Sequence, residues 1–312
     1  MRQAGRWDPE FQKIRTGLSF YEFSEDVEKS VQASLCPRRF GVDGIILFYD
    51  ITTLPVSMGL PFELKKDIGP VPNRPIRTMA DLQTLNPDPP PESYNHIRQL
   101  LRRVKEELRG ELPVIVFAGS PFTVATYCIG TGKDVDATRH FAAEQPEVWR
   151  GLLDMLSHAT GGFLRTLIAE GADLYQLFDS WAGMLTEAEY DEWAQPYHTQ
   201  VLASATGVPR ILFVKDCPYL AKMATTGAEI ISLSSHHDLA AARRDYPHLV
   251  FQGNVSEKTL RTGTVAEVEA DVAACLKAGG GQKHIVNLGH GVGKETPVAN
   301  FEAYIRAAKR GF

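Results

Sequence analysis

Seven short runs of almost unbroken apolar residues recur along the chain, each closing on a polar residue or a glycine. They are GIILFYD (44–50), PVIVFAGS (113–120), ADLYQLFDS (172–180), RILFVKD (210–216), AEIISLSS (228–235), LVFQGN (249–254) and KHIVNLGHG (283–291). A strand with one wet face alternates apolar and polar residues; a run apolar at nearly every position is buried on both faces, as in a parallel sheet covered by helices. Between the runs lie segments with apolar residues near a 3.6 period: YNHIRQLLRRVKEELRG (94–110), PEVWRGLLDMLSHATGGFLRTLIAEG (146–171) and TVAEVEADVAACLKAGG (264–280). Each has a glycine where a C-cap needs one. The pattern is strand, helix, strand, helix.

Such an α/β alternation suits a doubly wound sheet or a (β/α)8 (TIM) barrel with one strand unrecognised. The barrel is favoured, because the first strand is followed by ITTLPVSMGLP rather than by a glycine-rich phosphate loop. The proline-rich stretch LNPDPPPES (85–93) reads as a surface loop, since the pattern continues on both sides of it, and the expectation is a single domain over residues 1–312. In a barrel the chemistry sits where the strands end. The strand-closing residues Asp50, Ser120, Asp179, Ser180, Lys215, Asp216, Ser234, Ser235, Asn254 and His290 are therefore expected around one mouth.

Composition narrows the function. With 44% hydrophobic and 23% charged residues, a net charge of -5 and no basic run, the chain has no electrostatic footprint for nucleic acid or an anionic membrane. No apolar run approaches the roughly 20 residues of a membrane-spanning helix. Cys36, Cys128, Cys217 and Cys275 lie far apart and form no C-x-x-C pair, which argues against a zinc knuckle or a disulfide framework and fits a reducing cytosol.

Several motifs do not carry the chemistry they suggest. GHGVGKET (289–296) would need glycine at Leu288 and a hydroxyl at Glu295 to be a phosphate loop. His236, His237 and Asp238 are adjacent, and adjacent side chains rarely converge on one ion; Asp238 reads as the cap of the next helix. Lys215, Asp216 and Cys217 have no second cysteine or histidine at ligand spacing, so Cys217 reads as a buried thiol. Asp50 is different: a carboxylate directly after five apolar or aromatic residues has little solvent and must be paired or used. His290, between two glycines, stands where backbone can approach a ligand closely. Arg2 and Arg6, in MRQAGRWDPEFQKIR, would by themselves read as a solvated terminus.

MRQAGRWDPEF, GVDGIILFYDITTLPVSMGL, FAGSPFTVATY, YQLFDSWAGML, FQGNV and NLGHGV resemble, in this order and along almost the whole chain, the uroporphyrinogen decarboxylase family. The resemblance implies one (β/α)8 barrel, a cytoplasmic homodimer with facing clefts, no cofactor and no metal, and removal of the four acetate carboxylates of a tetrapyrrole. It puts Arg2 and Arg6 in the cleft as carboxylate-binding cations, with Gln3 and Phe11 nearby. Asp50 falls where the family's aspartate accepts hydrogen bonds from the pyrrole N–H groups. Tyr127, Ser180 and His290 fall on the remaining substrate-contacting positions. Guanidinium forks match a polyanion's carboxylates even in an acidic protein. Protonating a pyrrole ring turns the ring itself into the electron sink, and Asp50 would face the resulting cation. The proton donor stays open between Arg2 and His290.

The chain also departs from that pattern. The family has a helix and a strand before MRQAGR, so the expectation is a barrel with its first helix and strand missing or incomplete, through a misassigned start or a shortened chain. Ser232-Leu233-Ser234-Ser235 replaces Gly-Leu-Asp-Trp, Phe122 stands for a tryptophan, and Ile129-Gly130 follow Tyr127 in an altered setting. A corrinoid-type methyltransferase relative and a non-catalytic tetrapyrrole-binding protein therefore remain as alternatives. The first would bind zinc through a histidine and cysteines, of which this chain offers Cys217.

Overall fold

The structure is a computed structural model, and it describes residues 5–65 and 69–310. Every one of the seven apolar runs contains a strand: β1 (Ile45–Ile46), β2 (Val114–Gly119), β3 (Leu174–Asp179), β4 (Arg210–Val214), β5 (Ile230–Ser232), β6 (Val250–Gln252) and β7 (His284–Ile285). They form one curled sheet in chain order, and each neighbouring pair is parallel. Ile45 lies opposite Val114, Val116 opposite Tyr175, Leu177 opposite Leu212 and Ile231 opposite Phe251. Because every connection crosses back over the sheet, all carboxyl ends emerge on one side. Among the described residues β1 and β7 are the sheet edges, so the architecture there is a curled seven-stranded sheet. A two-stranded antiparallel ribbon, Phe62–Lys65 with Gly69–Pro72, lies between β1 and β2 in the chain.

The helices follow the 3.6 period. Toward the amino end are α1 (Pro9–Arg15) and α2 (Val27–Leu35). Helix α3 (Asn95–Leu108) buries Ile97, Leu100, Leu101, Val104 and Leu108, and packs on α2. Helix α4 (Pro121–Cys128) follows β2, and α5 (Pro146–Ala169) buries Trp149, Leu152, Leu156, Phe163 and Leu167 along one stripe. Helix α6 (Gln195–Ser204) packs on α5, and α7 (Val265–Gly279) packs on α8 (Val298–Arg310). A capping box between Thr264 and Glu267 starts α7, and Gly280, at φ 66°, ends it as the glycine spacing requires. At the end of α3 the C-cap is Arg109, left-handed at φ 49°, and the expected glycine, Gly110, follows it at φ 80°. The stretch 85–93 is a mostly exposed loop ending in a 3-10 turn at Pro91–Tyr94. No helix among the described residues is long and apolar enough to cross a membrane.

The first run is a shorter strand than its apolar pattern implies, and the reason is local. The ladder runs from Ile45 to Leu47, whose amide donates to the Ile115 carbonyl at 3.1 Å. The Phe48 amide, on the strand edge facing away from β2, donates to Ser34 Oγ on α2 at 2.9 Å. The Tyr49 hydroxyl then takes the place of the missing ladder: it donates to the Phe117 carbonyl and accepts from the Phe117 amide at 2.7 Å. Its ring stacks on the Phe117 ring at 4.1 Å and 1°. The chain thus peels off the sheet just before Asp50.

Candidate active site

Asp50 ends that peeled segment, half-buried, and accepts a hydrogen bond from the Thr52 hydroxyl two residues on. Tyr21 marks its surroundings from the other side. Burial pushes the Tyr21 hydroxyl up to about 12, with the charge of Asp50 adding to it and the Thr52 hydroxyl opposing it. The Thr52 hydroxyl and the strand residues behind it thus hold the Asp50 carboxyl group in place at the sheet's carboxyl end.

The next two strand ends are tied together by Asp179, which is completely buried. Its Oδ1 accepts from Thr123 Oγ1 at 2.7 Å and from the amides of Trp181 at 3.2 Å and Ala182 at 2.9 Å. Its Oδ2 accepts from the Ser120 hydroxyl and from His198 Nε2 at 3.1 Å. Burial opposes the anion, but His198 and the two hydroxyls outweigh it and hold the carboxyl below its ordinary range. Thr123 Oγ1 also accepts from the Ser180 amide at 2.8 Å, which ties helix α4 to the loop after β3. Tyr127, half-buried, rides on α4, and Ser180 opens the loop. Ser120 and Asp179 were expected on an open mouth. They lie beneath it, because their polar atoms satisfy one another.

Further round, backbone packing sets the positions. Gly289 packs against the backbone of Ser234 and Ser235 so closely that a Cβ would collide with it. The close approach expected beside His290 is therefore to the neighbouring loop, which leaves His290 exposed at the end of the β7 segment with its ring 6.1 Å from Phe213. Ser234 is buried and accepts from the Asp216 amide at 2.9 Å; Asp216 itself takes a left-handed conformation, φ 51°, that aspartate tolerates better than most residues. Asn254 donates to the Ser234 and His237 carbonyls at 3.1 and 2.8 Å, a structural use of a rim position. Asp50 after β1, Tyr127 on the helix after β2, Ser180 after β3 and His290 after β7 all lie at the carboxyl side of the sheet.

Arg6 and Phe11 share an open groove of about 410 Å³ with Gln12, Arg15, Thr16 and Leu18. Phe11 is a buried floor residue, edge-on to Phe23 at 5.3 Å and to Phe48 at 5.2 Å, and Phe48 lies two residues before Asp50. The groove is mounted through Asp8, which caps α1 by accepting from the Glu10 amide at 2.9 Å and takes both guanidinium nitrogens of Arg39, at 2.8 and 2.6 Å. Arg15 had escaped the sequence reading, although its spacing of four from Phe11 puts it on the same helical face. Arg2 and Gln3 lie outside the described residues.

The rejected motifs have other uses. Asp238 caps the helix that follows it, accepting from the Ala241 amide at 2.9 Å. His237 Nε2 donates to the Cys217 carbonyl at 2.8 Å. Burial pushes the Cys217 thiol up to about 11, which keeps it a thiol at neutral pH. Among the described residues no three His, Cys, Asp or Glu side chains are grouped to hold a metal ion. Residues 289–296 run into Pro297 and then α8, with no helix starting at Lys294 as a phosphate loop requires.

The fold defines the class first. A methyltransferase from Methanosarcina mazei superposes with a TM-score of 0.79 at 17% identity, covering 98% of this chain and 93% of that one. A B12-independent methionine synthase from Shewanella sp. W3-18-1 follows at 0.59 and 12%, covering 94% and 89%. At such identities the likeness shows the fold alone: an α/β fold built on parallel strands covered by helices. Sequence is more specific. The family model described as uroporphyrinogen decarboxylase (URO-D) matches residues 1–311. Curated uroporphyrinogen decarboxylases from Synechococcus sp. (strain CC9605) and Parasynechococcus marenigrum (strain WH8102) are each 37% identical over 319 aligned positions, covering 99% of this chain and 90% of the relative. One from Trichodesmium erythraeum (strain IMS101) is 35% identical at the same coverage. The chain belongs to the uroporphyrinogen decarboxylase family.

Proposed function

We propose that this protein decarboxylates uroporphyrinogen, converting its four acetate side chains to methyl groups and releasing coproporphyrinogen for tetrapyrrole synthesis. The observation that carries the reading is the family match over residues 1–311, joined to a half-buried carboxyl group, Asp50, at the carboxyl side of the sheet after β1. In this reading Arg6 and Arg15, with Arg2 and Gln3 ahead of them, bind peripheral carboxylates above the Phe11 floor. Tyr127, Ser180 and His290 contact the macrocycle from the other strand ends. The Asp50 carboxylate accepts from the central pyrrole N–H groups.

Each step balances as –CH2–COO⁻ plus a proton giving –CH3 and CO2. A proton added to a pyrrole α-carbon makes a ring cation, the electrons of the breaking C–C bond flow into that ring, and CO2 leaves. The exocyclic carbon then takes a proton while the ring returns its own. Asp50 is aimed at the ring where positive charge grows, and a preformed charge in a water-poor site is the largest electrostatic lever an enzyme has. The donor is Arg2 or His290; an imidazole is the ordinary acid near neutral pH, whereas a guanidinium keeps its proton above roughly 12.

The seven strands suit a single (β/α)8 domain spanning residues 1–312, acting as a homodimer in the cytoplasm. Four free cysteines are in keeping with a reducing compartment. Anaerobic incubation with uroporphyrinogen, followed by oxidation and chromatography, tests the activity: coproporphyrin is expected. Tight porphyrinogen binding without any coproporphyrin would overturn it in favour of a non-catalytic carrier.

A further inference from the structure

His198 sits on α6, one turn before Val201 and Leu202, on the face that α6 buries. It is completely buried, and its Nδ1 has no hydrogen-bond partner. A buried imidazole with one unsatisfied nitrogen is costly where leucine or methionine would pack. Something must offset that cost, and the other nitrogen shows what it is: Nε2 lies 3.1 Å from Asp179 Oδ2.

Asp179 gathers five donors, Thr123, Trp181 and Ala182 on Oδ1 and Ser120 and His198 on Oδ2. Ser120 is the N-cap residue of α4, yet its side chain makes no capping bond to that helix. Its hydroxyl is spent on Asp179 instead. Four of the five donors belong to the two segments that carry Tyr127 and Ser180. Among the described donors only His198 comes from outside them, from the helical layer, so it ties the side-chain carboxylate to an element other than those two segments and the strand that carries Asp179.

We propose that His198 is a positioning residue: its Nε2–H fixes the Asp179 carboxylate, and through it the Ser180 loop and the Tyr127 helix hold one geometry toward the substrate. The inference rests on the reading of Ser180 and Tyr127 as substrate contacts. The hub also has a property that can be measured without substrate. With His198 in place both carboxylate oxygens are fixed and the amides of Trp181 and Ala182 are held; without it, Oδ2 keeps, among the described donors, the Ser120 hydroxyl, and the orientation of the carboxylate under the loop amides is less constrained.

Glutamine and asparagine at position 198 separate anchoring from packing, because a glutamine amide nitrogen falls near the position of Nε2 and an asparagine nitrogen near that of Nδ1. Hydrogen exchange of the peptides covering 120–128 and 179–184 is measured together with kcat and KM for uroporphyrinogen. His198→Gln is expected to stay within about threefold of wild type in both readouts. His198→Asn is expected to speed exchange in both segments by about tenfold or more and to lower kcat by about 10- to 100-fold with little change in KM. Equal behaviour of the two variants overturns the proposal, since a packing role does not distinguish them. If the asparagine variant fails to fold, the wild-type protein decides: Trp181 and Ala182 amides that exchange as fast as those of the exposed 85–93 loop contradict the hub, and protected ones support it. Lost protection in His198→Asn, in a protein that turns over no uroporphyrinogen, leaves the hub standing and removes only the decarboxylase reading.

Discussion

Replacing Tyr49 by phenylalanine isolates the atom that positions Asp50. Tyr49 is 6% exposed, and phenylalanine keeps the ring stacked on Phe117 at 4.1 Å. What disappears is a hydroxyl that donates to the Phe117 carbonyl and accepts from its amide. An orphaned buried amide costs about 1–3 kcal/mol, and the lost bond to the carbonyl adds about 1; relief from desolvating the phenol offsets part, leaving about 2 kcal/mol. With a urea m-value of about 3 kcal/mol per molar, the unfolding midpoint falls by about 0.7 M with m unchanged. The catalytic effect follows from the next residue. With the hydroxyl gone, the segment before Asp50 loses its polar tie to β2 beyond Leu47, and a displacement of about 1 Å at Asp50 is worth up to about 100-fold in rate. The expected kcat, measured well below the transition, is about tenfold down. An unchanged urea midpoint together with an unchanged kcat would refute the role given to this hydroxyl.

Other outcomes follow from the same geometry. Arg39→Ala strips both guanidinium bonds from Asp8, which is 0% exposed; breaking a buried pair costs about 3–5 kcal/mol, and because Arg39 is itself 38% exposed water softens this to about 2, read as a lower urea midpoint. A wild-type midpoint would show that Asp8 does not depend on its partner. Arg15→Gln is expected to raise KM for uroporphyrinogen about tenfold with kcat nearly unchanged, the mark of a charge-assisted contact equal in ground and transition states. An unaltered KM removes Arg15 from the binding groove. The Asp179 carboxyl, held below its ordinary range, contributes stability that is present above the unfolded value of about 3.9 and is lost as pH falls through the lower folded value. Urea midpoints taken between about pH 5 and 2 should therefore fall less steeply for Asp179→Asn than for wild type, and parallel curves would contradict the assignment.

Much of this was legible because burial on both faces leaves an uninterrupted apolar signature, so all seven strands could be read from composition and punctuation. What the pattern could not show is where a strand's hydrogen bonds are taken over by a side chain: the Tyr49 hydroxyl ends β1 early, and it has no periodicity that says so. The rim was read as one set of residues, yet position at a strand end does not tell whether a side chain points into the mouth or under it. Asp179 and Ser120 went under because each satisfies the other. His198 gave no signal, since a lone histidine on an apolar helix face looks like core, and its partner lies 19 positions away in sequence. Arg15 did carry one, its spacing from Phe11. The glycine before His290 was read as room for backbone to approach a ligand, whereas Gly289 packs against the backbone of Ser234 and Ser235.

The account stands most directly on the charge of Asp50. Asp50→Asn keeps the shape and can still accept from Thr52, so the unfolding midpoint should barely move. Uroporphyrinogen turnover under anaerobic conditions should fall by about 100-fold or more, as expected when a charge facing a developing cation is removed. A folded Asp50→Asn protein that makes coproporphyrinogen at the wild-type rate would contradict the central claim.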